Sequence, residues 1–355
     1  MQSISIKLTQ SPKKKPTSQS MLGFGRVFTD HMFIMDYNTN KGWYDPRIVP
    51  YENIKLDPAS MCLHYGQETF EGLKAYRSRE GKILLFRPIK NMQRMNLSND
   101  RLCIPRINEE FCLEAIKKLV YIDRDWVPKG EGTSLYIRPF IIATDPFLGV
   151  HPANNLKFIV ICSPVGAYYT QGINPIKIYV ETKYVRAVKG GIGYAKTAGN
   201  YAASLKAQSE AEKKDYTQVL WLDGVYRKYI EEVGTMNVFF VIDDKIVTPE
   251  LNGSILPGIT RLSVIELLKS WGYNVLERKI SIDELYDCYV SNRLVESFGT
   301  GTAAVVSPIG ELRWEEKIIK INDGKTGKLA NKIYNALTDI QFGKVNDNMN
   351  WTVSI

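Results

Sequence analysis

Lys196 lies in GGIGYAKTAGNYAAS (190–204), among glycines and small residues where a long, hydrated side chain is out of place. A lysine amine attacks a carbonyl only as the neutral base, and its ordinary pKa of about 10.4 must first be lowered by desolvation or a cationic neighbour. Gly190, Gly191, Gly193 and Gly199 would let backbone close on a flat ligand. The plain alternative is a solvated loop lysine. A second charged group stands in IEEVGTMN (230–237), where Glu231 and Glu232 precede a Gly-Thr turn and the apolar run NVFFVID. Such a pair ordinarily ends a strand in solvent. A buried member needs a cationic partner, and a protonated pyridine nitrogen is one.

Four further stretches stand out, the first three of them able to bind anions. In SILPGITRLSV (254–264), Pro257-Gly258 makes a turn and a helix opens at Ile259-Thr260. Free N–H groups and a positive dipole end suit a phosphate there, although a well-capped helix without a ligand looks the same. SFGTGTAAVVSP (297–308) crowds glycines, hydroxyls and alanines into one turn, with Thr302 and Ala303 at its tip. Successive N–H groups in such a turn can hold an anion, or simply lead into a strand. In SLYIRPF (134–140), Tyr136 and Arg138 share one strand face, so Arg138 is either an edge charge or a planar fork for a carboxylate. FRPIKNMQRMNLS (86–98) puts Met92 and Met95 on one side of a helix with Arg94 between them. Each stretch alone has an ordinary structural explanation. A lysine for an aldehyde, a carboxylate for a ring nitrogen, a phosphate cradle and an arginine for an acid substrate jointly describe pyridoxal 5′-phosphate on an enzyme of amino acids.

The elements that must position these residues are mixed α and β. EEFCLEAIKKLVYI (109–122) carries Phe111, Ala115, Ile116, Leu119 and Val120 at helical spacing. NLKFIVICSPV (155–165) reads as a buried strand, and SPVGAYYTQG (163–172) as a linker. IKIYVETKYV (176–185), TQVLWLD (217–223) and NVFFVID (237–243) read as strands, and NYAASLKAQSEAEKKD (200–215) as a helix. TRLSVIELLKSWG (260–272) is a helix capped by Thr260, with Gly272 at its stop. The expectation is an α+β protein of two lobes with a linker bordering a cleft: a tail over 1–24, a small domain over 25–162, an interdomain loop over 163–172 and a larger domain with Lys196 over 173–355.

Composition narrows the function classes. The chain has 355 residues, a net charge of +8 and 24% charged residues, an ordinary globular balance. No basic–aromatic pattern of a nucleic-acid reader is present, and no run approaches the ~18 apolar residues of a membrane span. Five scattered cysteines lack metal-ligand spacing, and only three histidines occur, so no metal site is expected. Without a secretory apolar segment at its start, the chain is expected to be cytoplasmic with reduced thiols and a mobile N-terminal tail.

The sequence closely resembles the branched-chain amino-acid aminotransferases, pyridoxal-phosphate enzymes of fold type IV. Ordered blocks from about Gly25 onward carry the resemblance: HYGQETFEGLKAYR (64–77), NMQRM (91–95), YIRP (136–139), AKTAGNYAAS (195–204), EVGTMN (232–237), LPGITR (256–261) and GTGTAAVVSPIGEL (299–312). The resemblance implies a two-domain fold with the cofactor in the cleft, a homodimer, and reversible amino transfer between L-leucine, L-isoleucine or L-valine and 2-oxoglutarate. It implies that Lys196 forms the Schiff base and shuttles the proton, that Glu232 pairs with the pyridine nitrogen, and that Tyr201 bonds the ring hydroxyl. Arg94, the backbone at Ile259 and Thr260, and Thr302 would hold the phosphate. Tyr65, Tyr136, Arg138, Thr302 and Ala303 would bind substrate carboxylates, and Phe70 and Tyr168 would line the side-chain pocket. The Cys-x-x-Cys of the mammalian mitochondrial members is absent, its positions being Ala304 and Ser307. Two other fold type IV activities, D-amino-acid transaminase and aminodeoxychorismate lyase, share the lysine and glutamate, and the enantiomer consumed separates the transaminases.

Overall fold

The structure, a computed structural model, describes residues 3–16, 22–168 and 173–355. The chain forms two compact units: Met1–Tyr168 with Ala195–Ala198 and Asp339–Ile355, and Tyr169–Tyr194 with Gly199–Thr338.

The first unit opens with β1 (Ser5–Ile6), β2 (His31–Asn38), β3 (Gly42–Pro50), α1 (Met61–Tyr65), β4 (Glu68–Phe70), β5 (Leu73–Arg77), β6 (Ile83–Phe86), α2 (Pro88–Arg101), α3 (Glu109–Ile122), β7 (Ser134–Ala143) and β8 (Asn155–Val165). The strands run side by side as β1-β3-β2-β8-β7-β5-β6, with β4 also on β7. Alternation on β8 sends Phe158, Val160 and Cys162 to one core and Ile159 to another. The first core is closed by Met92 and Met95 of α2 and by Cys112, Ala115, Ile116, Leu119 and Val120 of α3. Asn108 starts α3 by accepting the Phe111 N–H at 2.9 Å, and Glu109 and Glu110 favour its positive end.

Two expectations for this unit need correction. β8 continues through Ser163, Pro164 and Val165 because β7 pairs with it as far as Ser134↔Val165, so the strand enters the expected linker. The remainder of that linker, 169–172, lies outside the described residues. Residues 3–16, expected to be mobile, are docked. Ser5 and Ile6 pair in parallel with Arg47 and Ile48, the Thr9 N–H reaches His31 Nε2 at 3.0 Å, and the Lys13 N–H reaches Asp30 Oδ1 at 2.8 Å. The exposed edge of β3 and the buried polar pair Asp30–His31 supply these partners, and apolar patterning of the tail gave no hint of them.

The second unit contains β9 (Ile176–Glu181), α4 (Ala198–Ala202), α5 (Leu205–Glu212), β10 (Gln218–Leu222), β11 (Ile230–Val233), β12 (Met236–Ile242), β13 (Lys245–Thr248), α6 (Ile259–Ser270), β14 (Asn274–Glu277), α7 (Ile282–Val290), β15 (Leu294–Gly301), β16 (Val305–Trp314), β17 (Lys317–Lys320) and α8 (Lys328–Gln341). Its strand path β11-β10-β9-β16-β15-β12 closes on itself, because β11 also pairs with β12. Closure leaves β11 without a free edge, while β14 and β17 stay at the margins of the sheet, and Ile178, Val180, Leu220, Val238 and Phe240 form part of its core. The helix expected over 200–215 is two, α4 and α5; the Ser204 hydroxyl bonds the Tyr201 carbonyl at 2.7 Å, a local bond that competes with helix continuation. The strand expected to reach 185 stops at Glu181, whose carboxylate accepts the N–H groups of Lys183 and Tyr184 at 2.7 and 2.9 Å. The cap of α6 is Gly258 rather than Thr260. The last strand, β18 (Thr352–Ser354), pairs with β6 and so belongs to the first unit.

Candidate active site

Lys196 belongs to the first unit, tied there by its backbone. Its N–H donates to Ser98 Oγ at 2.8 Å, its carbonyl accepts from the Phe70 N–H at 3.0 Å, and the Thr197 hydroxyl donates to the Glu68 carbonyl at 2.7 Å. The short strand β4 and helix α2 therefore fix the lysine's origin. Its amine lies 4.8 Å from the centre of the Phe70 ring, and the Arg138 guanidinium lies 4.8 Å from the same ring. Arg138 also bonds the Tyr136 hydroxyl at 3.0 Å, which confirms the shared strand face. Phe24, not singled out by the sequence, packs edge-on to Tyr136 with ring centres 5.0 Å apart.

Arg94 is buried rather than solvated. Its Nε and Nη2 fork onto the two oxygens of Glu71, each at 2.8 Å, and Asn91 Nδ2 adds a 2.8 Å bond to the same carboxylate. Burial alone would push the Glu71 carboxyl up, but Arg94, helped by Lys196 and Asn91, holds it below its ordinary value. One face of the guanidinium is thus spent on Glu71. Sequence reading missed Glu71, because a carboxylate that will be wholly buried looks like any other in a linear string. Tyr65, 40% exposed on α1, donates its hydroxyl to the Leu148 carbonyl at 2.5 Å, and Tyr168 is also exposed.

In the second unit both glutamates of β11 are buried, on opposite faces of the strand. Glu231 accepts from the Ser254 hydroxyl and from Asn252 Nδ2. Glu232 takes Arg186 Nη2 on Oε2 at 2.5 Å, and Asn237 Nδ2 and the Leu256 N–H on Oε1, each at 3.2 Å. The cation that a buried glutamate requires is therefore already supplied by the chain. A carboxylate accepts about four bonds, so Arg186 does not by itself exclude a further donor. Glu232, Tyr201, Asn200, Arg186 and Leu256 line one recess. Asn237 links that recess to the Pro257-Gly258 turn through a 3.0 Å bond to the Leu256 carbonyl. A Cβ on Gly258 would fall 2.0 Å from Asn237 Oδ1, so glycine is needed for this close approach. The first turn of α6, with Ile259 and Thr260, has no side-chain cap. Thr302 and Ala303 occupy the turn joining β15 to β16, followed by Val305 at φ +64°. A β-branched residue there is strained, and the Gly301↔Val305 pairing holds it.

The predicted residues thus fall into two sets. Tyr65, Phe70, Arg94, Tyr136, Arg138, Tyr168 and Lys196 are in the first unit, and Tyr201, Glu232, Ile259, Thr260, Thr302 and Ala303 in the second.

Known proteins are similar to this chain in sequence and fold. The profile of Amino-transferase class IV matches residues 68–312. The chain is 61% identical over 354 residues to branched-chain-amino-acid aminotransferase 2 of Bacillus subtilis, covering 100% of this chain and 97% of that one. It is 55% identical over 355 residues to the probable branched-chain-amino-acid aminotransferase of Staphylococcus aureus, covering 100% and 99%. The branched-chain amino acid aminotransferase of Escherichia coli superposes with a TM-score of 0.75 at 29% identity, covering 91% of this chain and 98% of that one. The T.th. enzyme crystallised with pyridoxamine 5′-phosphate superposes with a TM-score of 0.74 at 29% identity, covering 90% and 97%. The mixed α and β fold in two units is that of the fold type IV aminotransferases, and the chain belongs to amino-transferase class IV.

Proposed function

We propose that the chain is a pyridoxal-phosphate-dependent branched-chain amino-acid transaminase, moving the amino group reversibly between L-leucine, L-isoleucine or L-valine and 2-oxoglutarate. The observation that carries this reading is the Phe70 ring with the Lys196 amine and the Arg138 guanidinium each 4.8 Å from its centre. A reacting amine, an anion receptor and an apolar wall are what an amino-acid substrate with a hydrocarbon side chain requires.

The donor set fits pyridoxal 5′-phosphate. Lys196 would offer an amine for its aldehyde; in the second unit Glu232 and Tyr201, which line one recess, would offer a carboxylate and a phenol, and α6 an N-terminus without a side-chain cap for its phosphate. Thr302 and Arg94 complete the proposed phosphate set. The chemistry this group supplies when bound is an electron-poor ring that stores the electron pair released at the substrate α-carbon, with an aldehyde that carries the amino group. The Lys196 amine takes the proton from the α-carbon and returns it, and its neutral form is the working base. Glu232 stabilises positive charge beside its carboxylate, while Arg186 and Asn237 fix its orientation. Arg138, Tyr136, Tyr65, Thr302 and Ala303 orient substrate carboxylates. Phe70 and Tyr168 exclude water and accept the branched side chain.

We place the enzyme in the cytoplasm as a homodimer. Five free cysteines support a reducing compartment. No helix among the described residues is long and apolar enough to cross a membrane. The loop carrying Phe147, Leu148 and Val150, exposed by 53%, 65% and 82%, supports a face covered by a second copy. The activity is tested by following glutamate formation from 2-oxoglutarate with L-leucine or D-leucine as donor. L-leucine should be consumed and D-leucine should not; the reverse preference would assign the chain to the D-amino-acid branch.

A further inference from the structure

A cleft of about 570 Å³ in the first unit, unrelated to the residues above, is lined by Arg77, Ser78, Arg79, Lys129, Glu131 and Lys344, with Gly130 and Phe342 among the rest. Its walls are the β5–β6 hairpin turn, the loop before β7 and the chain after α8. Four cations face one carboxylate. Arg77 donates to three backbone carbonyls, those of Val127, Gly81 and Arg124 at 3.2, 3.2 and 2.6 Å, so its charge is held in place by acceptors that do not neutralise it. Lys344 lies 3.4 Å from Glu131, a carboxylate 90% exposed, and 3.7 Å from Asp339. Arg79 and Lys129 are exposed and have no carboxylate partner among the described residues.

A separate observation points to a ligand. Ser78 is among the residues lining the cleft, is only 9% exposed, and its buried hydroxyl has no hydrogen-bond partner among the described residues. A buried hydroxyl left unmade costs free energy, and native structures rarely keep one without a use. The adjoining recess shares Arg77, Lys129 and Gly130 and adds Lys15, Asp125, Trp126 and Pro128, so polar and apolar groups continue beyond the cleft.

We propose that this cleft binds the phosphate group of a small phosphorylated molecule, through Ser78, Arg79, Lys129 and Lys344 with Arg77 beneath them. The excess of positive charge favours a dianion over a monocarboxylate, and the size is that of a small-molecule site.

The test is a titration of the holoenzyme, its cofactor site filled, with inorganic phosphate at constant ionic strength. Binding is read by 31P line broadening and by calorimetry, with acetate as the carboxylate arm. The expected result is saturable phosphate binding, weaker acetate binding, and a loss of roughly tenfold or more in phosphate affinity for Arg79→Ala/Lys129→Ala and for Ser78→Ala, with leucine transamination unchanged. Both replaced cations are exposed, so the double variant will fold. No saturable binding up to tens of millimolar overturns the proposal. Unchanged affinity in the double variant overturns it as well. So does a loss confined to the double variant, because Ser78 would then be a bystander in a diffuse positive field.

Discussion

Phe70 is the wall against which an amine and a guanidinium are set, and their roles differ. Arg138 has a planar fork that matches a carboxylate, and it rests tolerably on an aromatic face. The hydrocarbon substrates present only methyl groups to the side-chain pocket, whereas glutamate and 2-oxoglutarate present a second carboxylate. Arg138→Met should therefore damage the glutamate half-reaction by about 2–5 kcal/mol of lost binding and the leucine half-reaction far less. Single-turnover spectra with each substrate alone would show it. Equal damage to both would make Arg138 a general support of the site. Lys74 makes a second residue-scale case. It is buried on β5, and desolvation lowers its pKa to about 8. Below pH 8 both folded and unfolded chains carry the proton, and the full cost of burying the cation acts. Between about 8 and the unfolded value of about 10.4 the unfolded chain binds more protons, so stability rises with pH. Any gain from Lys74→Met should thus shrink by roughly 2 kcal/mol between pH 7 and pH 9.5. Urea melts at the two pH values measure this, and a gain that stays constant would reject desolvation as the cause.

At the scale of elements, α6 and β11 hold their groups through one asparagine. Asn237 bonds both Glu232 and the carbonyl before the Pro257-Gly258 turn. Gly258→Ala would drive its new methyl into Asn237 Oδ1, although φ of −66° suits any residue. The expected outcome is a near-native melting temperature in the cofactor-free protein with at least tenfold weaker cofactor retention. Cofactor content after dialysis checks it, and full retention would mean that the clamp is dispensable. The periodic elements were legible because their signal is local. The apolar spacing of 109–122 gave α3, and short apolar runs gave β8, β10 and β12. What the string could not display was partnership across long separations. Arg94 reads as one helical arginine among several until Glu71 appears beneath it, 23 residues away. Glu232 reads as needing a cation, but nothing local nominates Arg186.

At the scale of the whole chain, the first unit is assembled from distant segments. Ala195–Ala198 brings Lys196 to β4 and α2, and the C-terminal residues return as β18. The family resemblance nominated the site residues, while the contiguous division at 163–172 could not foresee such returns. The N-terminal residues behave alike. Lys13 reaches the Thr29 carbonyl at 2.8 Å and lies over the Tyr51 ring at 4.2 Å. Deleting residues 1–14 should therefore lower the melting temperature by several degrees, at about 2–4 °C per kcal/mol for a domain of this size. An unchanged melting curve would mean that the segment adds no stability.

In the proposed reaction Lys196 is the base that moves the α-proton of branched-chain L-amino acids. The most direct test is a rapid-mixing absorbance record of purified, cofactor-loaded enzyme given L-leucine and then 2-oxoglutarate, wild type beside Lys196→Ala. The wild-type cofactor band should shift with L-leucine and return with 2-oxoglutarate, and the variant should lose about 10²–10⁴-fold or more in both rates, the share expected of general acid–base work alone. A variant cycling at near wild-type rate, or a wild type indifferent to L-leucine, would contradict it.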